Sequence, residues 1–282
     1  MTTWTDNSIE TAPGVRVPVR VYGKRLAHGA APVVLHFHGG AFTGGSLETG
    51  HSVSTLLMQA GAVVVSAGYP LAPAHRFPEA AEVAFSLLTA MQSCCAQWAS
   101  RRSAIFVAGE EAGGNLAAGV ALMARDRQAQ ITGQILISPM LDPAMGTCSI
   151  RSADAGPVGC QWADGWHAYL GSPEKAAHPY AAPLSATRLA GVAPALVLSA
   201  EDDPMRDESE TYAWRLREAG VAVQHDVLPG PTGWPGALAL PMDDAALAAA
   251  PWAIALRAQV VTFLAACAAS RHPASPLDHV PA

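Results

Sequence analysis

Val107-Ala108-Gly109-Glu110-Glu111-Ala112-Gly113-Gly114-Asn115-Leu116 is the stretch on which the reading of this chain turns. The residues before it, 104–108, form a short apolar run of strand type. The residues after Gly114, 115–125, form an Ala/Leu/Met-rich run that predicts a helix. Small residues stand on both sides of Glu111, so the chain can turn tightly there and expose that side chain. A helix starting at this turn aims its N-terminus at the same point and favours negative charge there.

Outward from this turn the same alternation repeats. Residues 32–37 and 62–67 are nearly continuous apolar runs, as strands buried on both faces require. Residues 15–22, 135–137, 195–199 and 221–227 complete the strand set, with the first strand expected to begin at residue 15. Helices are predicted over 55–60, 77–98, 209–219 and 252–268. Alternating strands and helices predict a mainly parallel sheet with helices on both faces, here in a single domain over 1–282. Residues 143–183 interrupt the alternation and are rich in Gly, Pro, Ala and Trp, including Trp162 and Trp166; they are expected to form a cap or lid.

Composition supports a globular chain and excludes some partners. Half of the 282 residues are hydrophobic and only 14% are charged, far from a disordered profile. A net charge of −6, with Lys24 and Lys175 the only lysines, argues against a nucleic-acid-binding surface. The segment 251–269 is the most apolar, but Arg257 and Gln259 interrupt it, and a packed terminal helix is expected rather than a membrane span. The N-terminus has neither a basic nor an apolar leader region. The five cysteines form no C-x-x-C pair, and no H-x-x-x-H occurs. A cytoplasmic protein without metal or other cofactor is expected.

A second motif joins the first. His38-Gly39-Gly40-Ala41-Phe42 follows directly on a buried strand, and a glycine-rich loop there turns backbone N–H groups toward a common point. Such donors stabilise charge developing on a carbonyl oxygen. The turn at Glu111 has the strand–turn–helix context of a nucleophile elbow, G-x-S-x-G. Together with Tyr69-Pro70-Leu71-Ala72-Pro73, the run 75–80, Ser138-Pro139-Met140-Leu141-Asp142 and the run 194–220, these motifs occur over most of the chain. The sequence resembles the hormone-sensitive-lipase-like carboxylesterases, α/β-hydrolases with an HGGG-type oxyanion loop. The resemblance implies an eight-stranded, mostly parallel sheet and a cap; with only about 14 residues before the first expected strand, a reduced cap and a more open site are expected.

The resemblance also implies a Ser–Asp–His triad in that order. The acid position is Asp203. The elbow pattern GDSAGG reads GEEAGG here, which puts Glu111 at the nucleophile position, and Gly233 falls where the lost triad histidine would stand. Gly39, Gly40, Ala41 and Ala112 are the expected oxyanion and ligand-binding positions. Candidates to replace the histidine are His225, although it lies in a strand run, and His167, which with Trp166 would reach down from the cap. His36 and His38 are expected to pack or support the turn, as is Glu110. Ser138 and Ser199 end strands without an elbow.

Glu111 and Asp203 are therefore the candidate catalytic pair. Burial and a neighbouring carboxylate both raise a carboxyl pKa and would make Glu111 a general acid or base. The expectation is a non-hydrolytic acid–base enzyme of cyclase, lyase or dehydratase type acting on a carbonyl-bearing or ester-like small molecule. Two other readings stand beside it: a ligand-binding pseudoenzyme, and a carboxylesterase with an unrecognised nucleophile. The remaining partner expected is a second copy of the chain, with no nucleic acid and no membrane.

Overall fold

The computed structural model describes residues 3–24, 30–153 and 157–271. Among these residues, eight strands form one sheet: β1 (Trp4–Ala12), β2 (Val15–Tyr22), β3 (Val33–Phe37), β4 (Val63–Ala67), β5 (Ile105–Glu110), β6 (Gly133–Ile137), β7 (Ala195–Ala200) and β8 (Val223–Leu228). Their order is β1-β2-β4-β3-β5-β6-β7-β8. β1 and β2 pair antiparallel, β2 is antiparallel to β4, and all other pairings are parallel. This is the expected α/β-hydrolase sheet. β1 corrects the expectation that the sheet begins at residue 15: residues 4–7, Glu10 and Ala12 are exposed and Ile9 is its one buried residue, so the strand lacks the apolar signal, and it is held by its ladder to β2.

Among the described residues, eight α-helices accompany the sheet: α1 (His51–Gln59), α2 (Glu79–Cys94), α3 (Ala112–Asp126), α4 (Cys148–Ser152), α5 (Pro157–Leu170), α6 (Arg206–Glu218), α7 (Asp244–Ala249) and α8 (Pro251–Arg271). Side-chain alternation along the strands divides the core in two. Leu35, Val65, Val107, Leu136 and Val197 pack with α2, α3 and α6 on one face. Val34, Val64, Phe106, Ile135 and Leu196 pack with α1 and α8 on the other. The central strands β3, β4, β5, β6 and β7 are covered on both sides, which is why their sequences read as continuous apolar runs.

α8 is long and apolar enough to cross a membrane by length and composition, with a mean hydropathy of 1.6 over Pro251–Ser270. Its buried residues Ala253, Leu256, Val260, Phe263, Leu264 and Cys267 recur at helical spacing and lie on the sheet. Cys94, Cys95, Cys148 and Cys267 are free thiols.

Candidate active site

β5 ends at Glu110 and α3 begins at Ala112, so Glu111 alone makes the turn, at φ 54° and ψ −118°. A residue with a Cβ is strained there, and the surroundings hold it in place. Glu111 N–H donates to the Ile137 carbonyl at 3.1 Å, and the Glu111 carbonyl accepts from Met140 N–H at 3.0 Å and Asn115 N–H at 3.1 Å. At the second residue of α3, a Cβ on Gly113 would overlap the carbonyl oxygens of Phe37 and His38. Only glycine lets the start of this helix rest against the end of β3, and that contact brings the elbow and the 38–42 loop together.

Two successive carboxylates take three successive N–H groups of that loop. Glu110 Oε1 accepts from Gly39 N–H at 3.0 Å, and Glu110 Oε2 lies 2.7 Å from His36 Nε2. The other ring nitrogen of His36 is 3.0 Å from the hydroxyls of both Ser54 and Ser66. Glu111 Oε2 accepts from Gly40 N–H at 2.5 Å and Ala41 N–H at 3.3 Å. The loop reaches this shape with Gly40, Ala41 and Phe42 all at positive φ, closed by Thr43 and Gly44 N–H on the Gly40 carbonyl. One oxygen of Glu111 thus occupies the point on which the N–H groups of Gly40 and Ala41 converge. Burial pushes its pKa up, while the bonds from Gly40, Trp162 and Ala41 pull it back, and the nearby Glu110 charge adds a further upward push.

α5 lies directly over the elbow. Trp162 Nε1–H donates to Glu111 Oε1 at 2.6 Å, from a side chain that is itself buried. Gly165 backs onto the Ala41 carbonyl so closely that a Cβ would collide with it. Tyr169 stacks on Phe42 with ring centroids 4.0 Å apart and planes 2° apart, and Trp166 packs on Phe42 at 4.9 Å. Trp162, Trp166 and Tyr169 share one helix face by their spacing of four and three. The expected open site is not what is found: Glu111 is only 7% exposed. His167 points off that face and is exposed, so it does not reach the elbow; the contact comes from Trp162, one turn earlier than the expected Trp166.

Asp203 follows β7 and is almost fully buried. Its Oδ1 accepts from Ser138 Oγ–H at 2.8 Å and Met205 N–H at 2.9 Å, and its Oδ2 has no partner. Burial, the largest influence, pushes its pKa up to about 7. Among the described residues Glu111 and Asp203 make no hydrogen bond with each other, so the expected carboxylate pair is not joined. Asp202 accepts from Thr232 N–H, Thr232 Oγ–H and Gly233 N–H at 2.7, 2.8 and 2.8 Å, which ties the Gly233 loop to the Asp203 corner. His225 lies within β8 opposite Val197, away from that loop.

Residues 34–232 match the model of a family described by its alpha/beta hydrolase fold. An arylesterase of Saccharolobus solfataricus is 33% identical over 211 residues, which span 73% of this chain and 68% of the relative. The carboxylic ester hydrolase LipN of Mycobacterium tuberculosis is 36% identical over 229 residues, 78% of this chain and 60% of the relative. The solved structure of EstE1, a thermophilic carboxylesterase from a metagenomic library, superimposes with a TM-score of 0.79 at 32% identity, covering 92% of this chain and 89% of that one. The chain belongs to the hormone-sensitive-lipase-like α/β-hydrolases. For a member of this hydrolase family, the expectation of a non-hydrolytic cyclase, lyase or dehydratase does not stand, nor does that of a pseudoenzyme: all three relatives are named for ester hydrolysis. That expectation rested on two positions, Glu111 and Gly233, against the similarity of most of the chain. Ester hydrolysis, the third reading, is the one the family favours.

Sequence reasoning missed Trp162 as a contact of the elbow, the His36–Glu110 pair, and the Ser138–Asp203 bond. The spacing of Trp162 and Trp166 by four residues was a usable signal for the first.

Proposed function

We propose that this protein hydrolyses small carboxylic esters, with Glu111 as the base that activates water. The observation that supports this is the convergence of Gly40 and Ala41 N–H on a single oxygen of Glu111: the loop already holds a carboxyl oxygen. In the proposed cycle the substrate carbonyl oxygen takes over those two donors. Glu111 keeps the Trp162 bond through Oε1, and the displaced Oε2 turns to a water molecule. The water oxygen attacks the carbonyl carbon while its proton passes to Oε2, and the loop N–H groups hold the resulting oxyanion. The oxyanion collapses, the carbon–alkoxide bond breaks, and the alkoxide takes the proton back from Glu111. Ester and water give acid and alcohol, and the carboxylate is regenerated.

Burial favours this role, because a carboxylate stripped of its loop donors is a stronger base in an apolar enclosure than in water. The 143–183 segment, with α5 against the loop, acts as the cap that excludes bulk solvent in this reading. Asp203 is then a support of the neighbouring strand end rather than a proton carrier.

The test is turnover of p-nitrophenyl acetate by the wild type and by Glu111→Gln. General-base assistance is worth roughly 10²–10⁴-fold, so the variant should lose at least about 10² in kcat/KM. Hydrolysis equal in the two proteins, or no wild-type turnover above buffer, overturns the proposal. Glu111→Ser/Gly233→His is the complementary double variant: a gain of hydrolysis there supports the positional assignment of elbow and histidine loop.

A further inference from the structure

At the opposite end of the sheet lies a groove of about 900 Å³, within the usual size range of a small-molecule site. It opens where β5, β6, β7 and β8 begin, between the ends of α2 and α3 and the last turns of α8. β5 runs its six residues from this groove to the elbow, so the two sites are separated by roughly 17 Å of strand at about 3.3 Å per residue.

The lining is specific in its chemistry. Ile105, Ile131, Val223 and Phe263 supply an apolar surface. Four glutamines stand at its edges: Gln92 Nε2–H donates to the Gln130 carbonyl and Gln224 Nε2–H to Gln259, while the side chains of Gln128 and Gln130 are exposed. None of the described residues that line it carries a charge. An ionised ligand would lose hydration there without gaining a counter-charge, whereas a neutral head group could both give and accept hydrogen bonds with the exposed amides of Gln128 and Gln130.

We propose that this groove is a second binding site, for a neutral amphiphile with one aliphatic chain and an amide or hydroxyl head. It stands independently of the reading of the elbow, because it uses none of the residues assigned there.

The experiment is calorimetric titration of the full chain with decanamide and with decanoate at pH 8. Decanamide should bind saturably, and decanoate about tenfold more weakly or worse, the value of one hydrogen-bond-sized loss. Ala266→Trp places an indole in the groove from an exposed position on α8 and should weaken decanamide binding by about tenfold or more. p-Nitrophenyl acetate turnover should be the same in this variant as in the wild type, so loss of binding and loss of ester chemistry are read separately. Decanamide binding untouched by Ala266→Trp, or equal binding of the carboxylate, overturns the proposal. Binding that emerges only after removal of residues 272–282 overturns it as well, and assigns the groove to the chain's own C-terminal segment.

Discussion

Glu110→Ala is the substitution that tests the architecture of the elbow most directly. Glu110 is 1% exposed and joins Gly39 N–H to the His36 ring at 3.0 and 2.7 Å. Alanine leaves both groups buried without an acceptor, at about 1–3 kcal/mol each. The sum is about 2–6 kcal/mol, a range that includes the roughly 3–5 kcal/mol usual for removing one partner of a buried pair. Glu110→Gln separates the acceptor from the charge. Its amide oxygen can keep the Gly39 bond, while its NH₂ faces His36, which can present an unprotonated Nε2 and donate through Nδ1 to Ser54 or Ser66. Replacing a charge-assisted bond by a neutral one should then cost only about 1–2 kcal/mol. Urea unfolding of the three proteins at pH 7, with linear extrapolation, gives both differences. An alanine variant within about 1 kcal/mol of wild type, or a glutamine variant as unstable as alanine, refutes the reasoning.

Other outcomes follow from the same contacts. Asp203 keeps its proton to about pH 7 in the folded chain, against 3.8 as its ordinary value, so the unfolded state binds fewer protons between these limits and Asp203 lowers stability as pH rises through them. Asp203→Asn should therefore gain about 2–3 kcal/mol relative to wild type between pH 5 and pH 7, measured as the difference of their unfolding free energies; a pH-independent difference contradicts the assignment. Trp162→Phe removes a donor to the Glu111 carboxylate and should push that pKa further up, moving the acidic limb of the kcat/KM profile to higher pH; an unmoved limb argues against the bond. Gly165→Val drives a side chain into the Ala41 carbonyl and should cost about 1–3 kcal/mol while red-shifting tryptophan emission as α5 lifts; unchanged stability and emission would mean that α5 is not seated there. His167→Ala should leave both stability and turnover unchanged, because that side chain is exposed.

The sheet was legible because it is covered on both faces. Residues 33–37, 63–67 and 195–200 are apolar throughout, and each run marks a central strand. β1 was not legible: its residues are mostly exposed, and only pairing with β2 makes them a strand. The elbow and the 38–42 loop were legible as motifs, since glycines at those places serve a backbone requirement that local sequence encodes. The destination of each polar atom was not. Glu110 and His36 are 74 residues apart, and Ser138 and Asp203 are 65 apart. Adjacent Glu110 and Glu111 look alike in sequence, yet one meets a buried histidine and the other meets Trp162 from a different helix.

The amino-acid sequence by itself determined the α/β class, the glycine-rich 38–42 loop and the residue at the elbow, because hydrophobic periodicity and glycine placement act over a few residues. Tertiary structure alone decided that Glu111 lies on the loop N–H groups under Trp162, that Asp203 turns to Ser138, and that His167 stays outside. Those outcomes depend on which distant surfaces meet when the sheet closes and α5 settles on the loop. No local pattern carries that information, because a buried polar group takes the partner that packing brings to it.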